Sequence, residues 1–516
     1  MKTFIQRFGE KVIGILSGFD RLLIHGTLRR ICYVVGMKDF LWETGILFKD
    51  FGVYAEKTTN ELKKATERMA EKLGRPIQYI KSSRENKEEI ALAIAKQDKV
   101  KSGLIAILSA TEPCTSYQID RNREKKEIDL VLRERKCLHF YHYFFHPEFG
   151  FMYARIQTWF PFNVQIYING REWLAHQMDR AGIKYQRLDN CFSWIEDFQH
   201  AQRLMDHQLR MNWPKKMNQI VKQLNPIHDK VFAKYPLGYY WSIPQSEWAT
   251  DIAFKDRASL GAIYPSLILH GITNFGSNDV MRFLSKKLHG RFEGELTSDF
   301  KVRSEGVRIK HRVGKNSVKL YDKFGRILRV ETTVNDSRAL STYRPKENDP
   351  QGKCVKTYLR RGVADIRRRA DICQLANERY LDALAVVDPT ASFGQLLEKI
   401  CRPTVWNGKR IRALRPWASD DLTLLKAIAR GEFTLTGFRN RDLQNLLYKP
   451  TPANEKEKRS RSSRITSLLQ ILRAHHLIRK IPSSYRYILT PYGRDILNAI
   501  LSTHNLTLEK IQSAVA

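Results

Sequence analysis

The sequence is poor in cysteine and has no cysteine pair at a metal-binding spacing. Its 7 cysteines are scattered between Cys32 and Cys401, and no CxxC motif occurs among them. Neither a zinc ribbon nor a disulfide framework is therefore indicated, and this cysteine usage fits a reducing compartment.

Long apolar runs are also missing. No stretch approaches the roughly 18 apolar residues that cross a bilayer. The N-terminal run Val12–Leu16 is too short for the core of a signal peptide. We therefore expect no membrane partner, and a location in the cytoplasm or nucleoid of a bacterial type of cell, or in a nucleus.

Acidic residues are in deficit. The 88 Lys and Arg outnumber the 54 Asp and Glu, which gives a formal net charge of +34 over 516 residues. A polyanion would neutralise such a charge, so nucleic acid is the expected partner, with DNA preferred to RNA. The alternative is a solvated basic surface that keeps the protein in solution. Hydrophobic residues make up 42% of the chain, which is enough for well-packed cores.

The hydrophobic pattern predicts a multidomain α/β (α+β) protein. In residues 1–225, apolar runs typical of strands, such as Leu104–Leu108, alternate with helical patterns such as Glu61–Leu73. The aromatic-rich runs Leu138–Phe145 and Phe151–Trp159 predict a β-hairpin. We expect this region to form an N-terminal α/β domain that contains the aromatic hairpin.

Residues 226–400 are predicted to form a central, basic α+β domain. Its clearest part is three strands, Val307–His311, Ser317–Tyr321 and Ile327–Val334, with a turn at Asp322–Gly325. A strongly basic helix follows, and two of its arginines are candidate nucleic-acid contacts: Arg367 and Arg368.

Residues 401–516 have the element order of a winged helix-turn-helix. A helix at Asp420–Arg430 and an apolar stripe at Leu443–Leu447 precede a helix at Arg461–His476, which we place in the major groove. Two β-type runs around Pro482-Ser483-Ser484 form the wing. The candidate nucleic-acid contacts of this region are Arg439, Arg441, Arg461, Arg464, Arg473, Arg479, Lys480 and Arg486.

The string from Arg486 to Arg494, RYILTPYGR, resembles the Y-x-L-T-x-x-G signature of winged-helix regulators of the multiple-antibiotic-resistance (MarR) class. The resemblance implies DNA binding through the helix and the wing, and it implies nothing about catalysis. Winged helices also serve as protein-docking modules, and this alternative stays open.

A candidate active site lies in the three-strand segment. Alternation places Ser317, Lys319 and Tyr321 on one face of a strand, and Arg329 and Glu331 on one face of the next. A tyrosine, a lysine and a carboxylate that converge there could supply a phosphodiester nucleophile, a charge stabiliser and a metal ligand or general base. The candidate catalytic residues of this segment are Tyr321, Lys323 and Glu331.

The letters SVKLYDK, followed by LRVE, resemble a strand pair of the rolling-circle replication initiators of plasmids and filamentous phage. Those proteins nick one DNA strand and remain attached through a tyrosine, so the resemblance implies a DNA-nicking role for this segment. The family's catalytic tyrosine need not be Tyr321. The alternative is a structural hairpin whose basic side chains contact the DNA backbone.

Histidine-based metal binding finds little support. His139 and His142 are three residues apart and point to opposite sides of a strand, so the HUH nuclease pattern is absent. His142 and His146 would share a face only if the strand extends through His146. Both remain candidate metal ligands, against the alternative of an aromatic-rich core.

Carboxylates at strand ends offer a third candidate. Asp20 and Glu112 follow apolar strand-like runs, as acids that hold a Mg²⁺ pair in two-metal nucleases and transposases do. The alternative is that Asp20 simply pairs with Arg21. Aromatic residues interleaved with basic ones, such as Tyr153, Arg155 and Trp159, would suit single-stranded nucleic acid or a protein core.

The leading hypothesis is a phosphodiester-transfer enzyme of a mobile element or replicon, similar to a transposase or replication initiator, with Mg²⁺ as its cofactor. A non-catalytic winged-helix regulator and a protein that recognises structured RNA are the alternatives. Self-association, the target sequence and the participation of a guide RNA stay open.

Overall fold

The structure, a computed structural model, describes residues 1–504 except 83, 123, 125–126, 274, 276, 285–295, 304–305, 347, 386–396, 431–432, 434–436, 449–451 and 483. Its buried apolar residues form one large core between Phe4 and Ala385 and a separate core between Ile400 and Ile500. The chain is therefore a multidomain α/β protein, as the sequence predicts.

The strands have the following bounds: β1 Val12–Thr27, β2 Ile77–Tyr79, β3 Gly103–Asn122, β4 Glu127–His146, β5 Gly150–Gln157, β6 Val164–Asn169, β7 Tyr185–Leu188, β8 Cys191–Ile195, β9 Tyr240–Phe254, β10 Leu296–Arg303, β11 Gly306–Val313, β12 Asn316–Lys323, β13 Ile327–Val334, β14 Ser341–Arg344, β15 Val355–Tyr358, β16 Thr404–Trp406, β17 Lys409–Ile411, β18 Ile478–Lys480 and β19 Tyr487–Leu489.

The helices have the following bounds: α1 Lys2–Phe8, α2 Val34–Thr44, α3 Phe51–Lys72, α4 Lys87–Gln97, α5 Gly170–Ala181, α6 Phe198–His207, α7 Trp213–Leu224, α8 His228–Val231, α9 Arg257–Gly261, α10 Tyr264–Thr273, α11 Ser277–Phe283, α12 Ile366–Leu384, α13 Ser419–Ile428, α14 Asn440–Leu447, α15 Glu455–Ala474 and α16 Pro491–His504. None of these helices has the length and the apolar surface that a bilayer-spanning segment needs.

One sheet dominates the larger unit. Its 11 strands lie in the order β10-β11-β12-β13-β9-β1-β6-β5-β4-β3-β2, and β2 runs parallel to β3 while the other neighbours are antiparallel. Strand β9, from the predicted central region, lies between β1 and β13. Residues 1–225 and 226–400 thus share one sheet and one core.

The two faces of this sheet differ in chemistry. Alternate side chains of β5 and β6 point into the large core, and that face is covered by helices that include α2, α3 and α12. Asn377 of α12 donates to the carbonyls of Trp248 and Val330, at 3.2 and 3.0 Å, and fixes the helix against β9 and β13. The opposite face carries the polar side chains that form the candidate site.

The smaller unit contains three helices, α13, α14 and α15, then the β18–β19 hairpin and α16, which is the element order expected of a winged helix. Phe438 adds a bridge to Tyr487 beside the hairpin. The helix predicted to begin at Arg461 begins earlier, at Glu455, because the Asn454 side chain caps it by accepting from the Glu457 amide at 2.8 Å.

Candidate functional site

Three carboxylates converge at the centre of the large sheet. Asp20 lies on β1, Glu247 on β9 and Glu331 on β13, which are three adjacent strands. One ligand oxygen from each lies within 4.8 Å of those of the other two. They line a cavity of about 300 Å³, together with the basic side chains Arg21, Arg308, Lys319 and Lys323.

A β-bulge directs Asp20 toward the other two acids. The pairing of β1 with β9 matches Phe19 with Trp248 and Arg21 with Glu247, which leaves Asp20 as an extra residue between the two pairs. Bulges of this kind redirect a side chain and are common beside functional sites. Asp20 therefore reaches the face on which Glu247 and Arg21 lie.

The register of β12 and β13 brings the predicted hairpin residues together. Lys319 lies opposite Glu331, and Tyr321 lies opposite Arg329. Directly opposed residues share a face, so the predicted convergence of Lys319, Tyr321, Arg329 and Glu331 on one face is confirmed. The Tyr321 hydroxyl donates to Glu331 Oε2 at 2.8 Å.

The Lys319 ammonium lies between two of the carboxylates. Its Nζ is 2.5 Å from Glu331 Oε1 and 3.3 Å from Glu247 Oε1. Burial alone would lower the pKa of Lys319, but the two carboxylates outweigh it and raise the pKa above its ordinary value. The ammonium is therefore a permanent cation within the acidic cluster.

The two glutamates differ in their affinity for a proton. Burial, and then the charge of Glu331, raise the pKa of Glu247 above its ordinary value. Burial alone would also raise the pKa of Glu331, but Lys319 and Arg329 lower it below the ordinary value. The cluster thus pairs a carboxylate that stays ionised with one that accepts a proton more readily.

A buried ionic network supports Asp20. Arg329 Nη1 lies 3.3 Å from Asp20 Oδ1, and Arg329 also holds Asp251 through contacts of 2.5 and 2.8 Å. Arg171 of α5 contacts the same two acids, at 3.9 Å from Asp20 and 3.0 Å from Asp251. All four side chains are buried, so each charge needs an opposite charge nearby. Asp251 is the counter-ion of Arg329 and thereby holds Arg329 next to Asp20.

The β7–β8 hairpin closes one side of the cavity. The Asn190 amide donates to both Asp20 oxygens, at 3.3 and 3.0 Å, and the Lys323 ammonium contacts Asn190 Oδ1. Lys323 also lies 3.2 Å from Asp189 Oδ2. Lys323 therefore lines the same cavity as the acids, although its charge faces the β7–β8 turn.

Tyr321 is a poorly ionising phenol in this setting. Burial, and then the charge of Glu331, raise the pKa of Tyr321 well above its ordinary value. The hydroxyl can act as a nucleophile only if its proton passes to a base, and Glu331 is the group within hydrogen-bond distance.

Arg308 of β11 adds a cation that has spare hydrogen-bonding capacity. It lies opposite Tyr321 and lines the cavity. Its Nε is buried and has no hydrogen-bond partner among the residues that the structure describes. A guanidinium in this state can bind an anionic oxygen that enters the cavity.

The predicted pairing of Asp20 with Glu112 is wrong. Glu112 lies on β3, four strands away from β1 in the sheet, which corresponds to roughly 19 Å at the usual strand spacing. Its carboxylate binds Tyr141 at 2.5 Å, Lys87 at 3.0 Å and Arg155 at 3.2 Å. The acid that does accompany Asp20 and Glu331 is Glu247, which sequence reasoning missed.

One sequence signal could have identified Glu247. It lies in the run from Tyr240 to Phe254, where Glu247 and Asp251 alternate with apolar residues such as Trp248 and Ile252. Such alternation is typical of a strand with one polar face. The strands predicted for residues 226–400 begin at Val307, so this earlier strand is missing from the prediction.

The histidine candidates do not form a metal centre with other ligands in the described part of the chain. Strand β4 does extend through His146, but His146 Nδ1 accepts from the backbone amides of Glu148 and Phe149. His142 lies between the rings of Phe140 and Phe144, where burial lowers its pKa to about 4. Both imidazoles therefore serve the local packing.

The candidate nucleic-acid contacts fall into two groups. Five have exposed side chains: Arg367, Arg441, Arg464, Arg479 and Lys480. The others are engaged within the protein. Arg461 binds Glu457 at 2.5 Å and packs on the Tyr448 ring, and Arg473 packs on Trp406. Arg368 pairs with Asp365, Arg486 donates to the Gly437 carbonyl, and the Arg439 side chain is half-buried.

The acidic cluster has the donor set of a hard divalent cation. The three carboxylate oxygens lie within 4.8 Å of one another, so together they could hold one such ion. Comparisons with models of protein families, with curated proteins and with solved structures give no match for this chain.

Proposed function

We propose that the protein is a divalent-metal-dependent enzyme that cleaves or transfers phosphodiester bonds in nucleic acid. The observation that carries the proposal is the cluster of Asp20, Glu247 and Glu331 in a cavity that Arg21, Arg308, Lys319 and Lys323 also line. Carboxylates hold the cation, and guanidinium groups bind the phosphate, so the two kinds of group together match a phosphodiester.

Each side chain has a role in this proposal. The three carboxylates would hold Mg²⁺ or Mn²⁺, which supplies Lewis-acid charge and lowers the pKa of a bound water. Arg308 and the half-exposed Arg21 bind non-bridging phosphate oxygens. Glu247 accepts the proton of the attacking water on the carboxylate oxygen that does not hold the cation.

Lys319 stabilises the leaving group in this scheme. A bond forms between the water oxygen and phosphorus, and the bond between phosphorus and the departing sugar oxygen breaks. The Lys319 ammonium lies beside the carboxylates and can donate to that oxygen as its negative charge develops. Its raised pKa keeps it protonated over the physiological range.

A second candidate uses Tyr321 as the nucleophile, and the 2.8 Å hydrogen bond to Glu331 favours it. The Tyr321 oxygen would bond to phosphorus, its proton would pass to Glu331, and the sugar oxygen would leave. This route produces a covalent protein–DNA adduct, which the water route does not.

The test is a cleavage assay on labelled single-stranded DNA, duplex DNA and RNA, with Mg²⁺ or Mn²⁺ and with EDTA. We expect the wild type to cleave one of these only with metal, and Glu331→Gln to lose at least roughly 100-fold. Glu148→Gln is the matched control, since Glu148 is a half-buried glutamate paired with Lys216 at 2.6 Å. No cleavage under any metal, or a Glu331→Gln variant as active as wild type, would contradict the proposal.

Tyr321→Phe separates the two routes. It removes only the hydroxyl, so under the water route metal-dependent cleavage persists within about tenfold, and no adduct survives denaturing electrophoresis in either protein. Under the tyrosine route, the wild type forms such an adduct and the variant forms none.

A further inference from the structure

The face of the sheet that holds the acidic cavity continues, beyond β1, as a half-exposed surface of aromatic and basic side chains. Burial alternates along β6 and along β5 as far as Ile156. The side chains of one face are buried in the large core, as Ala154, Ile156 and Ile166 illustrate. Those of the other face are half-exposed, and they include Tyr153, Arg155, Gln165 and Tyr167.

This surface is continuous with the cavity. Across β1, β6 and β5, Leu23 lies opposite Tyr167, which in turn lies opposite Tyr153. Arg21 lies at the junction, because its Nε is 3.6 Å from Glu247 Oε2 and its residue is paired with Asn169 of β6. A chain that lies on the tyrosines would therefore meet the carboxylates next.

The rings are held in place before any partner binds. Tyr153 and Tyr167 stack with centroids 5.3 Å apart and planes inclined by 6°. The Gln165 amide donates to the Tyr153 hydroxyl at 2.9 Å, and the Gln165 oxygen contacts His25 at 3.1 Å. Such pre-organisation reduces the conformational entropy that binding would cost.

Packing within the protein accounts for only part of this aromatic surface. Tyr141 and Tyr143 are buried with residues of α4. Tyr153 packs against them but keeps part of its surface exposed, as Tyr167 does. The charges are suited to an anionic partner. Arg21 and Arg155 are basic, and Glu112 is paired with Lys87 and Arg155. Two further acids interact with the tyrosines, the exposed Glu88 of α4 and Asp20 of the acidic cluster.

We propose that this surface, the tyrosine platform (Arg21, Tyr153, Arg155, Gln165 and Tyr167), binds a single-stranded segment of nucleic acid and leads it to the carboxylates. Phenol rings stack on unpaired bases, whereas the bases of a duplex already stack on one another. The platform residues lie on three adjacent strands, β1, β6 and β5, which together span about 10 Å. The assignment of its far end as a cleavage site depends on the proposed function.

Binding without metal tests the platform separately from catalysis. The full-length protein is titrated in EDTA with a fluorescein-labelled oligo(dT), and anisotropy is recorded. We expect Tyr167→Leu to weaken binding by roughly 5- to 150-fold and Tyr167→Phe, which keeps the ring, to bind within about twofold of wild type. The matched control is Tyr358→Leu, because Tyr358 is 70% exposed on β15, and it should bind as wild type.

A second measurement does not depend on any variant. An oligonucleotide that carries 5-iodouracil is crosslinked to the wild-type protein by light, and the modified peptides are identified. Crosslinks at Tyr153 or Tyr167 support the platform, whereas crosslinks that are confined to residues 401–516 overturn it.

The outcomes separate this proposal from the proposed function. If the wild type binds oligo(dT) through Tyr167 but cleaves nothing with any metal, the platform stands and the enzyme proposal fails. If the wild type cleaves with metal and Tyr167→Leu binds and cleaves single strands as wild type does, the platform fails and the enzyme proposal stands.

Discussion

Lys319 holds the position between Glu247 and Glu331 that a divalent cation would take. Its ammonium forms ion pairs with two acids that would otherwise repel each other. A divalent cation carries twice the charge and binds carboxylates at shorter range, so it can displace the ammonium toward the substrate.

Replacement of Lys319 by Met should therefore strengthen metal binding while it weakens cleavage. A charged hydrogen-bonded competitor is removed, so we expect Mn²⁺ affinity, measured by calorimetry, to rise by roughly tenfold or more. Lys315→Met, at an exposed position just outside β12, is the control. Equal or weaker Mn²⁺ binding by Lys319→Met would show that the ammonium and the metal do not compete.

Replacement of Glu247 and of Glu331 by glutamine should change the thermal stability of the protein in opposite directions. The folded-state pKa of Glu247 is raised, so its charge costs stability once the pH exceeds that pKa. We expect Glu247→Gln to unfold at a temperature about one to a few degrees above wild type near neutral pH, and the difference should vanish in acid, where Glu247 is protonated in both states.

Glu331→Gln provides the opposite sign. The folded-state pKa of Glu331 is lowered, so its charge contributes stability at neutral pH that is lost as the pH falls through the folded pKa. At neutral pH, Glu331→Gln should therefore unfold at a lower temperature than wild type. The same sign of change in both glutamine variants would contradict the assigned electrostatics.

At the scale of elements, the β12–β13 pair could be predicted from short-range sequence patterns. The other strands of the site, β1 and β9, are brought together by pairing between distant segments, which such patterns do not show. Alternation sufficed to place Lys319, Tyr321 and Glu331 on one face, because these strands are neighbours in sequence. Strand β9 lies about 70 residues away from β13, and no local pattern states that the two pair. The bulge that aims Asp20 likewise exists only once β1 meets β9.

The smaller unit illustrates the same limit on helix α15. Its apolar stripe was predicted correctly, since Ile465, Leu469 and Leu472 are buried. The sequence could not show that Arg461 is occupied by Glu457 and Tyr448, because the helix starts one and a half turns earlier than predicted. Arg464 keeps an exposed side chain.

We therefore expect Arg464, rather than Arg461, to contribute to duplex DNA binding. Arg464→Ala should weaken the affinity of the full-length protein for duplex DNA by about 1–3 kcal/mol if the guanidinium contacts a guanine edge, and by less if it contacts a phosphate. Arg461→Ala should mainly lower the thermal stability of the protein. Equal DNA affinity in wild type and Arg464→Ala would favour a protein-docking role for this unit.

At the scale of the whole molecule, the hydrophobic pattern predicted the α/β class, whereas the single sheet that joins residues 1–225 to residues 226–400 was not visible in the sequence. A pairing such as β1 with β9 joins segments more than 200 residues apart. The chain entropy lost in that pairing is offset only by the contacts of the entire sheet, which no local pattern shows. The smaller unit was recognisable because its elements contact their neighbours in sequence.

The net charge of +34 makes a global prediction about binding. Each phosphate that the protein neutralises should contribute about −0.9 to the slope of log affinity against log salt on duplex DNA, and about −0.7 on single strands. We expect a steep slope for both, measured by anisotropy at a series of NaCl concentrations. A flat response would mean that the charge is only solvated surface.

The central claim is that Asp20, Glu247 and Glu331 form a binding site for a divalent cation, and direct Mn²⁺ binding tests it. Free Mn²⁺ is quantified by electron paramagnetic resonance during titration of wild type, Glu247→Gln and Glu112→Gln. Glu112→Gln is the control, because Glu112 is an ion-paired glutamate on β3, four strands away from β1. We predict saturable binding by wild type and Glu112→Gln, and an affinity at least roughly tenfold lower for Glu247→Gln. Equal affinity in all three proteins, or no saturable binding by wild type, would contradict the account.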